Sequence, residues 1–229
     1  MARAMRTITA AIFDFGGVIT ASPFEAFNRL EATRGLPHDL VRTINAANPD
    51  SNAWALLERA EITRAEFDAR FAAEAAALGH DLRGADVLAV IAGAIRPGMV
   101  AALDTIRAAG LKLGCITNNV PGSSGPAMAA DAQSESRYAA IFARFDHTIE
   151  SAKAGVRKPD PRIYAMMCDA LGVSPAACVY LDDLGINCKP AAALGMAAIK
   201  VTGEAQALKE LSQVLSLDLG ASDTSGETA

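Results

Sequence analysis

Residues 13–20 read FDFGGVIT, and they complete an apolar run, residues 8–13, that predicts a buried β-strand. The strand delivers one carboxylate, Asp14, and the chain then breaks at Gly16 and Gly17. An aspartate at the end of a buried strand is costly unless something pairs with it. This stretch therefore predicts a core strand that carries an acid, whose partners the rest of the chain must supply.

The composition is that of a globular, acidic chain. Its 229 residues suffice for one core and a smaller second lobe; 51% are hydrophobic and 21% charged. The formal net charge of −5 argues against nucleic acid or an anionic membrane as a main partner. No apolar stretch approaches the roughly 20 residues of a membrane span. The first apolar run ends in Asp14 without a small-residue cleavage site, so we interpret it as a strand and not a signal peptide.

The cysteines indicate a compartment. Four of them are scattered along the chain without CxxC spacing: Cys115, Cys168, Cys178 and Cys188. Cysteines scattered in this way fit a reducing cytoplasm better than a disulfide framework or a zinc site. We therefore expect a cytoplasmic protein, of an oligomeric state that the sequence does not indicate.

Strand and helix patterns alternate through the second half of the chain. Apolar runs predict strands at 111–117, 145–149, 177–182 and 196–201. Helical patterns occupy 98–109, 134–143, 161–171, 189–194 and 205–215. This alternation is typical of an α/β fold, here a Rossmann-like parallel sheet covered by helices on both faces.

The first half breaks that rhythm with helical patterns alone. They occupy 24–33, 39–46, 53–59, 64–78 and 85–92. We therefore predict a core made of residues 1–20 and 96–218, with an all-helical cap inserted at 21–95. Residues 219–229 are small and polar, and we expect them to form a disordered tail.

Polar side chains follow four of the predicted strands. Ligands of doubly wound sheets bind outside the carboxyl ends of the strands, so these side chains are candidates for one site. In chain order they are Asp14; Thr117 and Asn118; Lys158; and Asp182, Asp183 and Asn187. Three acids, a lysine and several donors are what a magnesium-assisted phosphoryl transfer needs.

These motifs, in this order, resemble the haloacid dehalogenase superfamily, in the branch with a helical cap inserted after the first motif. The likeness is strongest over residues 145–215, where GVRKPDPRIY and CVYLDDLGINCKPAAALGM resemble the N-terminal phosphatase domains of soluble epoxide hydrolases. The resemblance implies a phosphatase that hydrolyses a small phosphorylated metabolite, a phosphate monoester, through an aspartyl-phosphate with Mg²⁺ as cofactor.

The resemblance also implies a metal site. Asp14 would be both the nucleophile and a magnesium ligand, and Gly16 would lend its backbone carbonyl to the metal. Asp183 would be the direct ligand from the fourth motif, with Asp182 close by as a further metal-site residue.

A phosphate site is implied beside it. Thr117 and Asn118 would bind the transferring phosphoryl group. Lys158 would neutralise both the phosphate and the nucleophile, and would thus be catalytic, while Asn187 would brace the loop after the fourth strand.

Gly16 departs from the pattern of most phosphatases in the superfamily. There, the side chain two residues after the nucleophile protonates the leaving oxygen and later activates water. Glycine does neither, and positioned acid–base catalysis is worth about 10²–10⁴-fold in rate. The sequence therefore predicts an enzyme that is slow on alkyl phosphates, and that prefers leaving groups needing little protonation or obtains a proton from substrate, water or cap.

Other functions stay open. A metal-independent 2-haloacid dehalogenase would also lack the second aspartate, but the Asp182–Asp183 pair argues against it. A catalytically faded protein that binds a phosphorylated ligand is favoured by Gly16 and disfavoured by Asp14 and Lys158. Each acid, taken alone, is also compatible with a turn or a helix cap.

The cap offers several side chains for contact with a substrate, which the sequence does not rank. They are Glu25, Asn28, Arg29, Arg59 and Glu61. We interpret Trp54 mainly as part of the packing inside the cap.

Overall fold

The fold is a five-stranded parallel sheet with helices on both faces and a helical insertion. The computed structural model describes residues 7–91, 93–119 and 132–220. The strands are β1 (Ala10–Phe13), β2 (Lys112–Thr117), β3 (His147–Glu150), β4 (Cys178–Asp182) and β5 (Ala197–Lys200). Their order in the sheet is β3-β2-β1-β4-β5, and all four pairings are parallel. The predicted α/β, Rossmann-like fold is confirmed, with strand bounds that differ from the sequence expectation by at most two residues.

β1 is the central strand, and its surroundings explain its continuous apolar sequence. All four of its residues are buried, because Phe13 faces one core cluster while Ile12 faces the other on the opposite side of the sheet. Phe13 pairs with Cys115 of β2 and with Leu181 of β4. The chain leaves β1 between its neighbours on either side, which is the switch point where doubly wound sheets bind ligands.

Five helices separate β1 from the rest of the sheet. They are α1 (Pro23–Thr33), α2 (Leu40–Ala46), α3 (Ala53–Glu58), α4 (Arg64–Ala77) and α5 (Gly84–Ala89). A chain of aromatic rings with centroids 5.4–6.0 Å apart joins Phe27, Trp54, Phe67 and Phe71 in their core. The insertion therefore has a hydrophobic core of its own, separate from the two clusters that flank the sheet.

The insertion leaves and rejoins the core at one place. An antiparallel bridge links Thr20 and Ile95, and the Ala21 amide donates to the Ala94 carbonyl at 2.7 Å. Both connections therefore run side by side next to the carboxyl end of β1, which holds the helical insertion over that edge of the sheet.

The remaining helices cover the sheet. They are α6 (Pro97–Ala108), α7 (Ala132–Phe142), α8 (Ser151–Ala154), α9 (Pro161–Leu171), α10 (Gly185–Ala193) and α11 (Glu204–Leu215). α10 begins four residues before the sequence expectation of 189, because Asn187 is held by a buried hydrogen bond to Asp182 instead of forming a loop.

The predicted tail, residues 219–229, is described only at its first two residues. Leu219 is buried in the core, while residues 221–229 of the predicted disordered tail lie outside the described residues. Within the described part of the chain, no helix is long and apolar enough to cross a membrane.

Candidate active site

Lys158 lies between two carboxylates at the carboxyl edge of the sheet. Its Nζ is 2.7 Å from Asp14 Oδ1 and 2.9 Å from Asp182 Oδ2. Lys158 is 1% exposed and Asp182 is fully buried. A buried charge requires a partner of opposite sign, so the ends of β1 and β4 and the segment before α9 form one electrostatic unit.

Hydrogen-bond donors surround Asp182. The Tyr180 hydroxyl donates to Oδ2 at 2.5 Å, and the Leu184 amide donates to Oδ1 at 2.8 Å. The Asn187 amide reaches the two carboxylate oxygens at 3.0 and 3.1 Å. Since Lys158 also bonds to it, both oxygens of Asp182 are already engaged. We infer that Asp182 serves the site mainly by orienting Lys158, and that Asn187 braces it.

Asp183 projects toward the other side of the cluster. Ser22, at the start of the insertion, donates to its Oδ2 at 2.7 Å. Gly17 has a φ of +81°, and a Cβ there would come within 2.2 Å of the same oxygen, so only glycine fits. Carboxylate oxygens of Asp14, Asp182 and Asp183 lie within 4.8 Å of one another.

The cluster holds more negative than positive charge. Burial raises the pKa of Asp14 well above its usual value against the opposing effect of Lys158, and Asp182 and Asp183 raise it further. Burial, followed by the charge of Asp182, also raises the pKa of Asp183. Burial alone would lower the pKa of Lys158, but Asp14 and Asp182 raise it. Three carboxylates facing one ammonium suit a divalent cation, and this triad could hold one.

The predicted phosphate-binding residues lie on the β2 side. Thr117 ends β2 and lines the cavity described below. Asn118 Oδ1 accepts from the Lys158 amide at 3.0 Å, and its Nδ2 donates to the Lys158 carbonyl at 3.1 Å. The Asn118 side chain thus ties the loop after β2 to the segment that carries Lys158. Phosphate binding by Thr117 and Asn118 stays a prediction.

Gly16 faces open space. Apart from Gly16 and its two neighbours in the chain, no described residue places a heavy atom within 4 Å of a Cβ built on Gly16, and its φ is outside the left-handed region. The residue also lines the cavity. The backbone would therefore accept a side chain here, in contrast to Gly17, and metal binding by the Gly16 carbonyl stays a prediction.

A cavity of about 580 Å³ lies between the sheet edge and the insertion. Its floor is polar and includes Asp14, Gly16, Thr117, Lys158 and Asp183. Its roof combines apolar side chains, among them Phe24, Phe27, Trp54 and Ile91, with polar and charged ones, among them Arg42, Asp50 and Glu58. A pocket of this size and composition is typical of a small-molecule site.

The sequence did not identify the cap residues of this cavity. None of Glu25, Asn28, Arg29, Arg59 and Glu61 is among the described residues that line it. Arg59 pairs with Glu61 at 2.7 Å instead, because the two lie side by side on an exposed turn.

Three side chains that sequence reasoning missed or undervalued do line the cavity: Trp54, Glu58 and Arg157. A signal was present for two of them, because Trp54 and Glu58 are four residues apart and so share a helix face. The structure joins them by a hydrogen bond from Trp54 Nε1 to Glu58 Oε1 of 2.9 Å.

The fold and the site together define a class: an α/β enzyme with an acidic cluster and a lysine at the carboxyl edge of a doubly wound sheet, roofed by a helical insertion. A family model described as haloacid dehalogenase-like hydrolase matches residues 8–195. The chain belongs to this family of hydrolases.

Three curated relatives are 30–33% identical to this chain over the aligned residues. Acyl-CoA dehydrogenase family member 10 of Mus musculus is 33% identical over 93% of this chain and 20% of its own length. Bifunctional epoxide hydrolase 2 of Sus scrofa is 30% identical over 93% of this chain and 40% of its own length. The chain thus spans less than half of these two proteins. Phosphatase MT3486 of Mycobacterium tuberculosis is 30% identical over 87% of this chain and 90% of its own length.

Solved structures support the same fold. A HAD-like family hydrolase from Porphyromonas gingivalis has a TM-score of 0.59 at 21% identity and covers 86% of this chain and 91% of its own. A HAD family enzyme from Bacteroides thetaiotaomicron, solved with magnesium and inorganic phosphate, has a TM-score of 0.54 at 18% identity and covers 84% of this chain and 93% of its own.

Proposed function

We propose that this protein is a Mg²⁺-dependent phosphatase that hydrolyses small phosphate monoesters through an aspartyl-phosphate on Asp14. The observation that carries the proposal is the buried Asp14–Lys158–Asp182 unit with Asp183 in the same acidic cluster. The similarity to Phosphatase MT3486, which extends over most of both chains, supports the same class of reaction.

Asp14 is oriented for nucleophilic attack. Its Oδ1 accepts from Lys158 Nζ at 2.7 Å and from the Phe15 amide at 2.6 Å, which fixes the carboxylate, so that one of its two oxygens would attack phosphorus. The bond from phosphorus to the ester oxygen breaks as the bond to Asp14 forms, and water later cleaves the aspartyl-phosphate to release inorganic phosphate. Lys158 supplies positive charge throughout, fixed in place by Asp182.

Asp14 and Asp183 would hold the magnesium ion, with the Gly16 carbonyl as a further ligand. When bound, the ion would neutralise negative charge on the phosphoryl oxygens and on the acids. The donor set fits Mg²⁺, because it offers hard carboxylate oxygens in a site with an unbalanced negative charge.

The missing acid at position 16 limits the choice of leaving group. A phenolate leaves without prior protonation far more readily than an alkoxide does, so aryl esters should react faster than alkyl esters. The insertion, which we infer acts as a cap over the site, offers an aromatic roof that would accommodate such a leaving group. The substrate would thus be an organic phosphate that fits within the cavity.

One assay tests this proposal against its rivals. Purified protein is given aryl phosphates, alkyl phosphates and 2-haloacids, with Mg²⁺ or with EDTA, beside Asp14→Asn. We expect phosphate release that requires Mg²⁺, is faster on aryl esters and is lost in the variant.

Two other results would each select another function. Halide release that is insensitive to EDTA would identify a dehalogenase. Binding of inorganic phosphate without turnover of any ester would identify a faded, ligand-binding member of the family. Equal rates on aryl and alkyl esters would show that Gly16 does not limit the reaction.

A further inference from the structure

Glu58 is a buried acid that the proposed chemistry does not use. It is the last residue of α3 and is 6% exposed. A negative charge is unfavourable at the carboxyl end of a helix, and a buried carboxylate is costly unless paired. Positions that break such local rules are often functional, so the partners of this side chain indicate its role.

Those partners belong both to the insertion and to the core. Glu58 Oε1 accepts from Trp54 Nε1 at 2.9 Å, and Oε2 accepts from Asn118 Nδ2 at 3.2 Å. Oε2 also lies 2.6 Å from Arg157 Nε in an ion pair. The Glu58 carbonyl accepts from Ser151 Oγ at 2.6 Å. One residue of the insertion therefore contacts the loop after β2, the segment before Lys158 and the start of α8.

The contact with Asn118 leads directly to Lys158. The Asn118 amide group is held from two sides: by Glu58 Oε2, and by the backbone N–H and C=O of Lys158. Because the two Nδ2 hydrogens have these two acceptors and Oδ1 has its own donor, the orientation of the amide is fixed. Removing Glu58 would free one Nδ2 hydrogen and leave the Asn118 amide held by the Lys158 backbone alone.

Glu58 acts here as an acceptor. Two of its side-chain partners, Trp54 and Asn118, donate hydrogen bonds to it, and the third, Arg157, is a cation that pairs with its charge. This arrangement suits a structural role. It does not suit the role of proton donor to the leaving group, which Gly16 leaves unfilled.

We propose that Glu58 is a positioning residue that couples the seating of the cap to the geometry of the phosphate-binding segments at Asn118 and Lys158. The inference rests on the proposed phosphatase function, because those segments are the phosphate site only if that function holds. When the cap is seated, Glu58 holds the Asn118 amide against the Lys158 backbone. When the cap is displaced, the hydrogen bond between Glu58 and Asn118 is lost. Loss of the outer partners that orient metal ligands typically costs 10–100-fold in affinity or activity, and by analogy we expect a loss of at least about tenfold for Glu58→Ala.

A double-mutant cycle tests the coupling. Wild type, Glu58→Ala, Asn118→Ala and the double variant are titrated with inorganic phosphate in the presence of Mg²⁺ by calorimetry, and kcat and KM are measured on an aryl phosphate. We expect each single variant to bind phosphate at least about tenfold more weakly. Since Glu58 acts through Asn118, the double variant should be no weaker than Asn118→Ala alone. The Mg²⁺ concentration for half-activation should not change, because Glu58 does not contact Asp14 or Asp183 in the described structure.

Glu74→Ala is the matched control. Glu74 Oε1 accepts from the Ala53 amide at 2.8 Å, so this acid also supports α3, but from within the insertion. The Glu74→Ala variant should therefore keep the phosphate affinity and the kcat of the wild type. If Glu58→Ala does not fold, Glu58→Met, which keeps a side chain of similar length but offers Asn118 no carboxylate oxygen, takes its place in the cycle.

The outcomes separate the inference from the proposed function. Losses that add fully in the double variant, or a Glu58→Ala or Glu58→Met protein that behaves like the Glu74 control, would overturn the positioning role while leaving a working phosphatase. A wild-type protein that neither binds phosphate nor hydrolyses any ester would overturn both.

Discussion

The floor and the roof of the cavity differ in the chemistry of their side chains. The floor is an array of buried charges, in which Asp182 accepts from several donors and Lys158 joins two acids. The roof contains a group of packed rings, Phe24, Phe27 and Trp54, whose centroids lie 5.5–6.0 Å from those of neighbouring rings. Under the proposed function, the sheet edge would carry the reaction, while the insertion would select the group to which the phosphate is attached.

The two surfaces also differ in how they tolerate change. In the floor, a lost partner leaves a charge buried and alone, so the surrounding groups depend on one another. In the roof, exchanging one apolar side chain for another of similar size costs little. The predictions below test this difference from the largest expected effect to the smallest.

Asp14→Asn should have the largest effect on activity. The amide cannot form the acyl-phosphate, so we expect turnover of an aryl phosphate to fall by at least about 10³-fold. Because burial and the neighbouring acids raise the pKa of Asp14, the folded state disfavours its charge, and the neutral variant should be no less stable without metal. Turnover and the thermal midpoint in EDTA measure both effects. A variant that keeps its activity would place the nucleophile elsewhere.

Gly16→Asp should raise the rate on alkyl phosphates. The Cβ would enter open space at an ordinary backbone angle, so the new carboxyl can be accommodated at the cavity floor. Supplying an acid–base group there is expected to increase kcat on alkyl esters by roughly 10²-fold, with a much smaller change on aryl esters. Gly17→Asp is the control, because its side chain would collide with Asp183 at a φ of +81°. Unchanged alkyl turnover in Gly16→Asp would show that another step limits the rate.

The difference between floor and roof also governs what the sequence could reveal. Asp14, Lys158 and Asp182 could be identified because each follows or precedes an element of a doubly wound sheet, and parallel strands bring their carboxyl ends to one edge. Their convergence in space required only the topology, which the alternation of strands and helices already predicted. The opening at Gly16 and the collision at Gly17, however, depend on backbone angles that two adjacent glycines do not specify.

The roof was less accessible to sequence reasoning. Which faces of the cap helices look toward the cavity depends on how the insertion docks, and this involves contacts between residues far apart in the chain. Glu58 illustrates the point, because its partners Asn118 and Arg157 lie 60 and about 100 residues away, at distances in sequence that no local pattern encodes. Arg59 and Glu61 were plausible for their charge alone, and they satisfy each other on the surface.

Cys188 offers a probe of the charge in the floor. Burial, followed by the charge of Asp182, raises the pKa of its thiol to about 11. Since the thiolate is the reactive form, alkylation near pH 8 should be roughly 100-fold slower than for a thiol at the usual value of 9.0, and should accelerate as the pH approaches 11. Asp182→Asn should lower the pKa and speed alkylation. Rates measured against pH, with the protein shown to remain folded, check this; a rate equal to that of a free thiol would mean that Cys188 is open to solvent.

Phe24→Leu should have the smallest effect, and one confined to the roof. The Phe24 ring lies 5.9 Å from the Phe27 ring in an edge-on arrangement, and the Arg42 guanidinium lies 4.1 Å from its centroid. Leucine keeps the side chain apolar but removes the ring that would contact the aryl group of the substrate. An aromatic pair contributes about 1 kcal/mol, which is roughly a fivefold change in affinity. We therefore expect KM for an aryl phosphate to rise about fivefold, while kcat and inhibition by inorganic phosphate stay the same.

Phe71→Leu separates that effect from general loosening of the insertion. Phe71 is fully buried in the cap core and is not among the described residues that line the cavity. Its replacement should lower the thermal midpoint and leave KM unchanged. If both variants raised KM equally, the roof would act through the stability of the cap and not through contact with the leaving group. If Phe24→Leu instead lowered kcat and weakened the binding of inorganic phosphate, the assignment of chemistry to the floor and of substrate selection to the roof would be wrong.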